Sequence, residues 1–100
     1  MWYSTMKMKE FYTDKSKWCK EAYATDILGL PCSIYSPFAT KFCPATLCKK
    51  LYGYEYVKIR QRMNGYVHRL NRVFFDVLVW NDYPLTTFED IKKMVNKLDI

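Results

Sequence analysis

Histidine is nearly absent from this chain, which holds only His68 among its 100 residues. A lone histidine gives little support to a catalytic or zinc site, and His68 is expected at the solvated edge of a helix. Long apolar runs are also missing, and none approaches the roughly 20 residues that a membrane-spanning helix requires. Lys7, Lys9 and Glu10 interrupt the apolar residues near the start, so no signal peptide is expected. These absences predict a cytoplasmic protein without a membrane partner.

Cysteine pairs at metal-binding spacing are missing as well. The cysteines are Cys19, Cys32, Cys43 and Cys48. Even the closest two lie farther apart than the Cys-x-x-Cys pairs of structural zinc sites. Without an export signal the compartment is expected to be reducing. The sequence therefore predicts four free thiols, no metal and no cofactor.

The chain is rich in apolar residues, because half of its residues are hydrophobic and 18% are aromatic. This composition excludes intrinsic disorder. A chain of 100 residues is long enough for one hydrophobic core and too short for two. We therefore expect a single domain over residues 1–100.

The run from Glu55 to Val79 sorts its side chains into two faces at the period of a helix. The pattern continues through Gly65, which predicts one long helix that tolerates this glycine. Its apolar arc comprises Tyr56, Ile59, Met63, Tyr66, Leu70, Val73, Phe74 and Val77. Its opposite side carries Lys58, Arg62, Arg69 and Arg72, hereafter the basic arc.

Shorter helices are expected on both sides of this run. Residues 15–23 predict a short helix capped by Asp14 or Ser16. Ser36-Pro37 predicts the start of another helix that ends at Gly53, with either a kink or a break near Cys43 after which the helix restarts at Pro44. The last helix is expected after Thr86-Thr87, which offer two overlapping capping boxes. Residues 1–13 fit neither a helical nor a strand period clearly.

The fold class predicted is mainly α, a compact domain of four to five helices with at most a small β-hairpin near residues 22–35. Trp80 to Pro84 is expected to form a turn. The predicted core comprises Trp18, Phe38, Phe42, Ile59, Met63, Leu70, Phe74, Ile91 and Val95.

Several landmarks in order resemble an uncharacterised family of small proteins from actinobacteria and phages. They are Trp18, Ala22, Ala24, Asp26, Gly29, Pro37-Phe38-Ala39, Cys43, Trp80-Asn81-Asp82-Tyr83-Pro84 and Thr87. The resemblance implies a mostly helical fold and a phage or mobile-element setting. It implies no catalytic residues.

The positive charge indicates either a binding surface or a solvated face that serves solubility alone. The net charge is +6, and no acid occurs between residues 56 and 75, although a solvated helix usually mixes both signs. The predicted binding residues are Lys58, Arg60, Arg62, Arg69 and Arg72. We expect a non-enzymatic interaction protein, in the phage setting an inhibitor of a host machine, that covers a nucleic-acid path or an acidic protein surface. An acidic protein is slightly favoured as the partner.

Two alternatives remain open at this stage. The chain could bind nucleic acid directly, with tyrosines near the basic arc stacking on bases. It could also be a small enzyme with polar residues at the Trp80 to Pro84 turn, where Asp26, Asn81 and Asp82 form a secondary candidate site. Asn and Asp also bond to their own backbone in turns, and this structural interpretation of the three residues is preferred.

Overall fold

The computed structural model describes residues 6–100 and contains five α-helices, two short 3₁₀ turns and two strands in that range. Trp2 and Tyr3, which belong to the stretch 1–13 with no clear period, lie outside the described residues. In chain order the elements are α1 (Met8–Phe11), a 3₁₀ turn (Lys15–Lys17), β1 (Ala24–Thr25), β2 (Lys41–Phe42), α2 (Pro44–Tyr52), a 3₁₀ turn (Gly53–Glu55), α3 (Tyr56–Leu70), α4 (Val77–Asp82) and α5 (Phe88–Leu98).

The mainly helical fold class is confirmed, with one small antiparallel sheet of two strands within residues 6–100. β1 lies inside the range predicted for a hairpin, but its partner β2 follows that range, and Ala24 pairs with Phe42. Thr25 also forms an isolated bridge with Pro31. No helix among the described residues combines the length and apolarity needed to cross a membrane.

The single long helix predicted for residues 55–79 is wrong, because α3 ends at Leu70 and a separate α4 begins at Val77. Gly65 is tolerated within α3, as expected. The break begins at Asn71, which has extended backbone angles and accepts a hydrogen bond from Val73 N at 3.0 Å. Asp76 then caps α4 by accepting from Leu78 N at 2.8 Å. These side chains offer the backbone an alternative to helical hydrogen bonds.

The predicted helix at Ser36-Pro37 is also absent, but the helix start at Pro44 is confirmed, because α2 begins there with Cys43 as its extended N-cap. Ser36 Oγ accepts from Phe38 N at 3.1 Å, which closes a local turn rather than a helical cap. Pro44 occupies the first helical turn of α2, where a missing N–H costs nothing. The short helix expected after Asp14 is reduced to the 3₁₀ turn that Asp14 caps through Ser16 N.

One cluster of buried side chains connects the helices and the sheet. Trp18, Phe42, Met63, Ile91 and Val95 are buried in it as predicted. Ile59 and Phe74 are partly buried against the same cluster. Two predicted core residues are on the surface, since Phe38 is 74% exposed and Leu70 is 57% exposed.

The C-terminal helix begins as its sequence predicts. Thr87 Oγ1 accepts from Asp90 N at 3.2 Å, and the Asp90 carboxylate accepts from Thr87 N at 2.9 Å, which forms the capping box. Ile100 is buried, and its carbonyl accepts from Lys9 N at 2.8 Å. This bond joins the end of the chain to α1.

Candidate functional site

Three cations of the basic arc lie on the exposed side of α3. Lys58, Arg62 and Arg69 fall on one face because their spacings of four and seven residues are close to whole helical turns. Lys58 forms an ion pair with Glu55 at 3.4 Å, but both side chains are exposed, so the pair is weak. Arg62 Nη2 donates to the carbonyl of Leu98 at 2.5 Å. Arg69 forms no ion pair or hydrogen bond within residues 6–100.

Two predicted binding residues lie elsewhere. Arg60 points to the packed side of α3, where its Nη2 donates to the two oxygens of Asp76 at 3.2 and 3.1 Å. This pair joins α3 to the N-terminus of α4, so Arg60 has a partner inside the fold. Arg72 does not share the helical face, because the chain leaves α3 at Leu70; it is an exposed residue of the connection to α4.

The exposed surface of α3 continues onto α5 through Lys97, a residue that the sequence pattern did not single out. Arg69 and Lys97 line a shallow depression of about 330 Å³ between the two helices, together with Tyr66, Leu70 and Leu98. None of these five residues is acidic. Lys97 is exposed and has no ion pair in the described part of the chain. The basic surface, defined as Lys58, Arg62, Arg69 and Lys97, therefore spans two helices.

A second basic depression lies at the other end of α3. It has a volume of about 700 Å³, and we call it the tyrosine groove. Its lining residues are Tyr35, Lys49, Lys50, Gly53, Tyr54, Tyr56 and Val57. No aspartate or glutamate is among them.

The secondary candidate residues hold the fold together. Asn81 is fully buried, its Oδ1 accepts from Trp18 Nε1 at 2.6 Å, and its Nδ2 donates to the carbonyl of Cys19 at 3.0 Å. Asp82 Oδ1 accepts from Glu21 N at 2.7 Å, where Glu21 has a positive φ of 59°. Both residues belong to α4, so the turn predicted for Trp80 to Pro84 begins only at Tyr83.

Asp26 serves a different loop. Its Oδ1 accepts from Leu28 N at 2.9 Å and from Leu30 N at 3.0 Å, and Gly29 N donates to its carbonyl. Gly29 has a φ of 84°, which favours glycine. Asp26 bonds to backbone groups of its own loop, whereas Asp82 joins α4 to the backbone of Glu21, and the geometry assigns both residues structural roles.

Three of the four cysteines are buried, and all four are free thiols. Burial raises the pKa of Cys19 and of Cys48 to about 12, and it also raises the pKa of Cys43. These thiols are therefore protonated near neutral pH and are poor nucleophiles. His68 lies apart, with Nδ1 at 3.1 Å from the carbonyl of Phe74 and its ring stacked on Phe75. No group of three metal-binding side chains occurs within residues 6–100.

Thiol titration should distinguish the cysteines. In the native protein, Cys32 should react with a disulfide reagent before Cys19, Cys43 and Cys48, because only Cys32 is partly exposed. All four should react after unfolding in denaturant. Native mass spectrometry serves as the control for bound metal. Stoichiometric zinc, or two thiols missing after unfolding, would contradict the free-thiol assignment.

The fold and the surface geometry define a small helical protein with two acid-free basic depressions. In comparisons with protein-family models, curated proteins and solved structures, no match to this chain was found.

Proposed function

We propose that this protein is a non-enzymatic interaction protein that binds an anionic partner through the basic surface. The observation that carries the proposal is the pair Arg69 and Lys97, which flank an acid-free depression and form no ion pair within residues 6–100. Three other cations are neutralised inside the fold, Arg60 by Asp76 and both Lys7 and Lys9 by Asp99. The unpaired cations are placed to neutralise charge on another molecule.

Nucleic acid is the partner that the surface chemistry favours. The sequence slightly favoured an acidic protein, but the tyrosine groove adds exposed aromatic rings beside lysines. The phosphate groups of a nucleic acid attract cations at every nucleotide sequence, and aromatic rings add affinity for the bases. An inhibitor of a host machine, the role expected in a phage setting, would use the same surface to cover a nucleic-acid path.

A catalytic function has less support. The candidate nucleophiles Cys19, Cys43 and Cys48 are buried with raised pKa values, and Asn81 and Asp82 are bonded within the fold. A general base or nucleophile has to reach its substrate. Arg62, Arg69 and Lys97 are exposed, and a group of exposed cations favours binding of an anionic partner.

Charge reversal at Arg62 and Arg69 should separate binding from folding. Replacing both with Glu should abolish measurable affinity for a DNA duplex at moderate salt, because two phosphate contacts become repulsive. The melting temperature should change by only a few degrees, since both side chains are exposed. Fluorescence anisotropy and thermal melts provide the two measurements.

The salt dependence gives an independent check. Four phosphate contacts predict a log-log slope of roughly −3 to −4, and each cation removed should reduce its magnitude by about one. A matched control reverses Lys15 and Lys17, which lie on the 3₁₀ turn and change the net charge by the same amount. Equal losses in both variants would show that only net charge matters and would contradict the proposal. If the wild type binds no nucleic acid but captures an acidic protein, the partner assignment is wrong.

A further inference from the structure

The tyrosine groove is formed by a sharp change of chain direction. Lys49 and Lys50 occupy the last turn of α2, and Gly53 has a φ of 55°, a conformation that favours glycine. The chain then passes Tyr54 and enters α3 at Tyr56. The end of one helix and the start of the next therefore form the walls of the groove, and Tyr35 approaches from the preceding loop.

The aromatic rings of this groove are exposed to an unusual degree. Tyr54 is 95% exposed and Tyr35 is 73% exposed, whereas large aromatic side chains are mostly buried in folded proteins. Neither hydroxyl forms a hydrogen bond within residues 6–100. These two rings contribute little to the fold, and their faces are open to a ligand.

Cations lie among the rings. Lys49 Nζ is 5.6 Å from the ring centroid of Tyr56, and Lys50 is exposed beside it in sequence. A neighbouring depression of about 470 Å³ is also lined by Lys49 and Tyr56, and it extends from the tyrosine groove to Tyr23. The two depressions share Lys49 and Tyr56, and neither has an acid among its lining residues. Aromatic rings beside cations are the chemistry by which proteins hold unpaired nucleotides.

The groove and the basic surface meet in the sequence at the start of α3. Val57 lines the groove, and the next residue, Lys58, begins the row of cations along α3. We propose that the tyrosine groove binds single-stranded nucleic acid, with bases stacked on Tyr35 and Tyr54 and with phosphates near Lys49 and Lys50. In a duplex the base faces are already stacked on each other, so a stacking groove selects single strands. This inference rests on the proposed function and names its ligand class.

The test measures anisotropy of labelled oligothymidylate and oligouridylate of about 12 nucleotides. Tyr54→Ala and Tyr35→Ala should each weaken binding by about 5- to 150-fold, the loss expected for one stacked base. Tyr54→Phe keeps the ring and should retain affinity. Phe75→Ala is the matched control, because Phe75 is 71% exposed but stacks on His68 outside the groove. Both oligonucleotides should bind, since stacking uses the bases rather than the sugar.

The outcomes separate the groove from the basic surface. Weaker single-strand binding in the tyrosine variants, with duplex affinity and salt slope unchanged, supports the groove. If these variants bind single strands normally while reversal of Arg62 and Arg69 abolishes binding, the groove proposal is overturned and the proposed function stands. If the tyrosine variants lose single-strand binding while the charge reversal has no effect, the groove stands and the basic surface is overturned. Absence of binding to any oligonucleotide by the wild type would overturn both assignments to nucleic acid.

Discussion

Met63→Ala should lower the free energy of unfolding by about 2 to 5 kcal/mol, the range for deleting a fully buried methionine side chain. Met63 lies on the packed side of α3 and has no exposed surface. The loss combines the transfer free energy of the removed atoms with the cavity that remains. Urea denaturation followed by circular dichroism would give the difference from the wild type.

Leu70→Ala is the matched control on the same helix. Leu70 is 57% exposed at the last residue of α3, so this substitution should change the unfolding free energy by no more than about half a kcal/mol. The difference between the two variants tests where α3 ends. A loss at Leu70 as large as that at Met63 would mean that the helix continues past Leu70 and buries it.

Asn81→Ala should be similarly destabilising, by about 2 to 5 kcal/mol. The substitution leaves the Trp18 indole N–H and the Cys19 carbonyl without their partner, and both groups lie where water has little access. A buried polar group without a hydrogen bond costs about 1 to 3 kcal/mol. Denaturant melts measure the loss.

Asn96→Ala provides the comparison for Asn81. Asn96 is exposed on α5 and its side chain forms no hydrogen bond within residues 6–100. Its replacement should alter stability by less than about half a kcal/mol. If Asn81→Ala were equally mild, the bonds to Trp18 and Cys19 would not be holding the segment before β1 against α4. The secondary site predicted around Asn81 and Asp82 would then need an explanation other than structure.

The sequence was sufficient to predict features that form within a single helix or at its end. The Thr87–Asp90 capping box, the stop at Gly53 and the tolerance of Gly65 within α3 are all present in the structure. Each depends on hydrogen bonds or backbone angles within a few residues. The mainly helical class follows from the same local information.

The helix predictions were wrong where helical spacing of apolar residues competed with side chains that bond to nearby backbone N–H groups. Residues 71–79 keep a helical spacing of apolar side chains, but Asn71 and Asp76 bond to nearby N–H groups and divide the run into two helices. Ser36 similarly bonds to Phe38 N and forms a turn. Which preference prevails depends on the packing of α4, where Trp80 and Val77 are buried after the chain changes direction. Spacing in the sequence does not carry that information.

For the binding surface, the sequence by itself determined its charge, because the acid-free stretch between residues 56 and 75 guarantees cations around α3. Only the tertiary structure decided which of them are available. Packing of α4 against α3 pairs Arg60 with Asp76, packing of α5 adds Lys97 beside Arg69, and the turn at Gly53 brings Tyr54 near Lys49 and Lys50. The physical reason is that charge belongs to each residue, whereas exposure and proximity depend on which elements pack together.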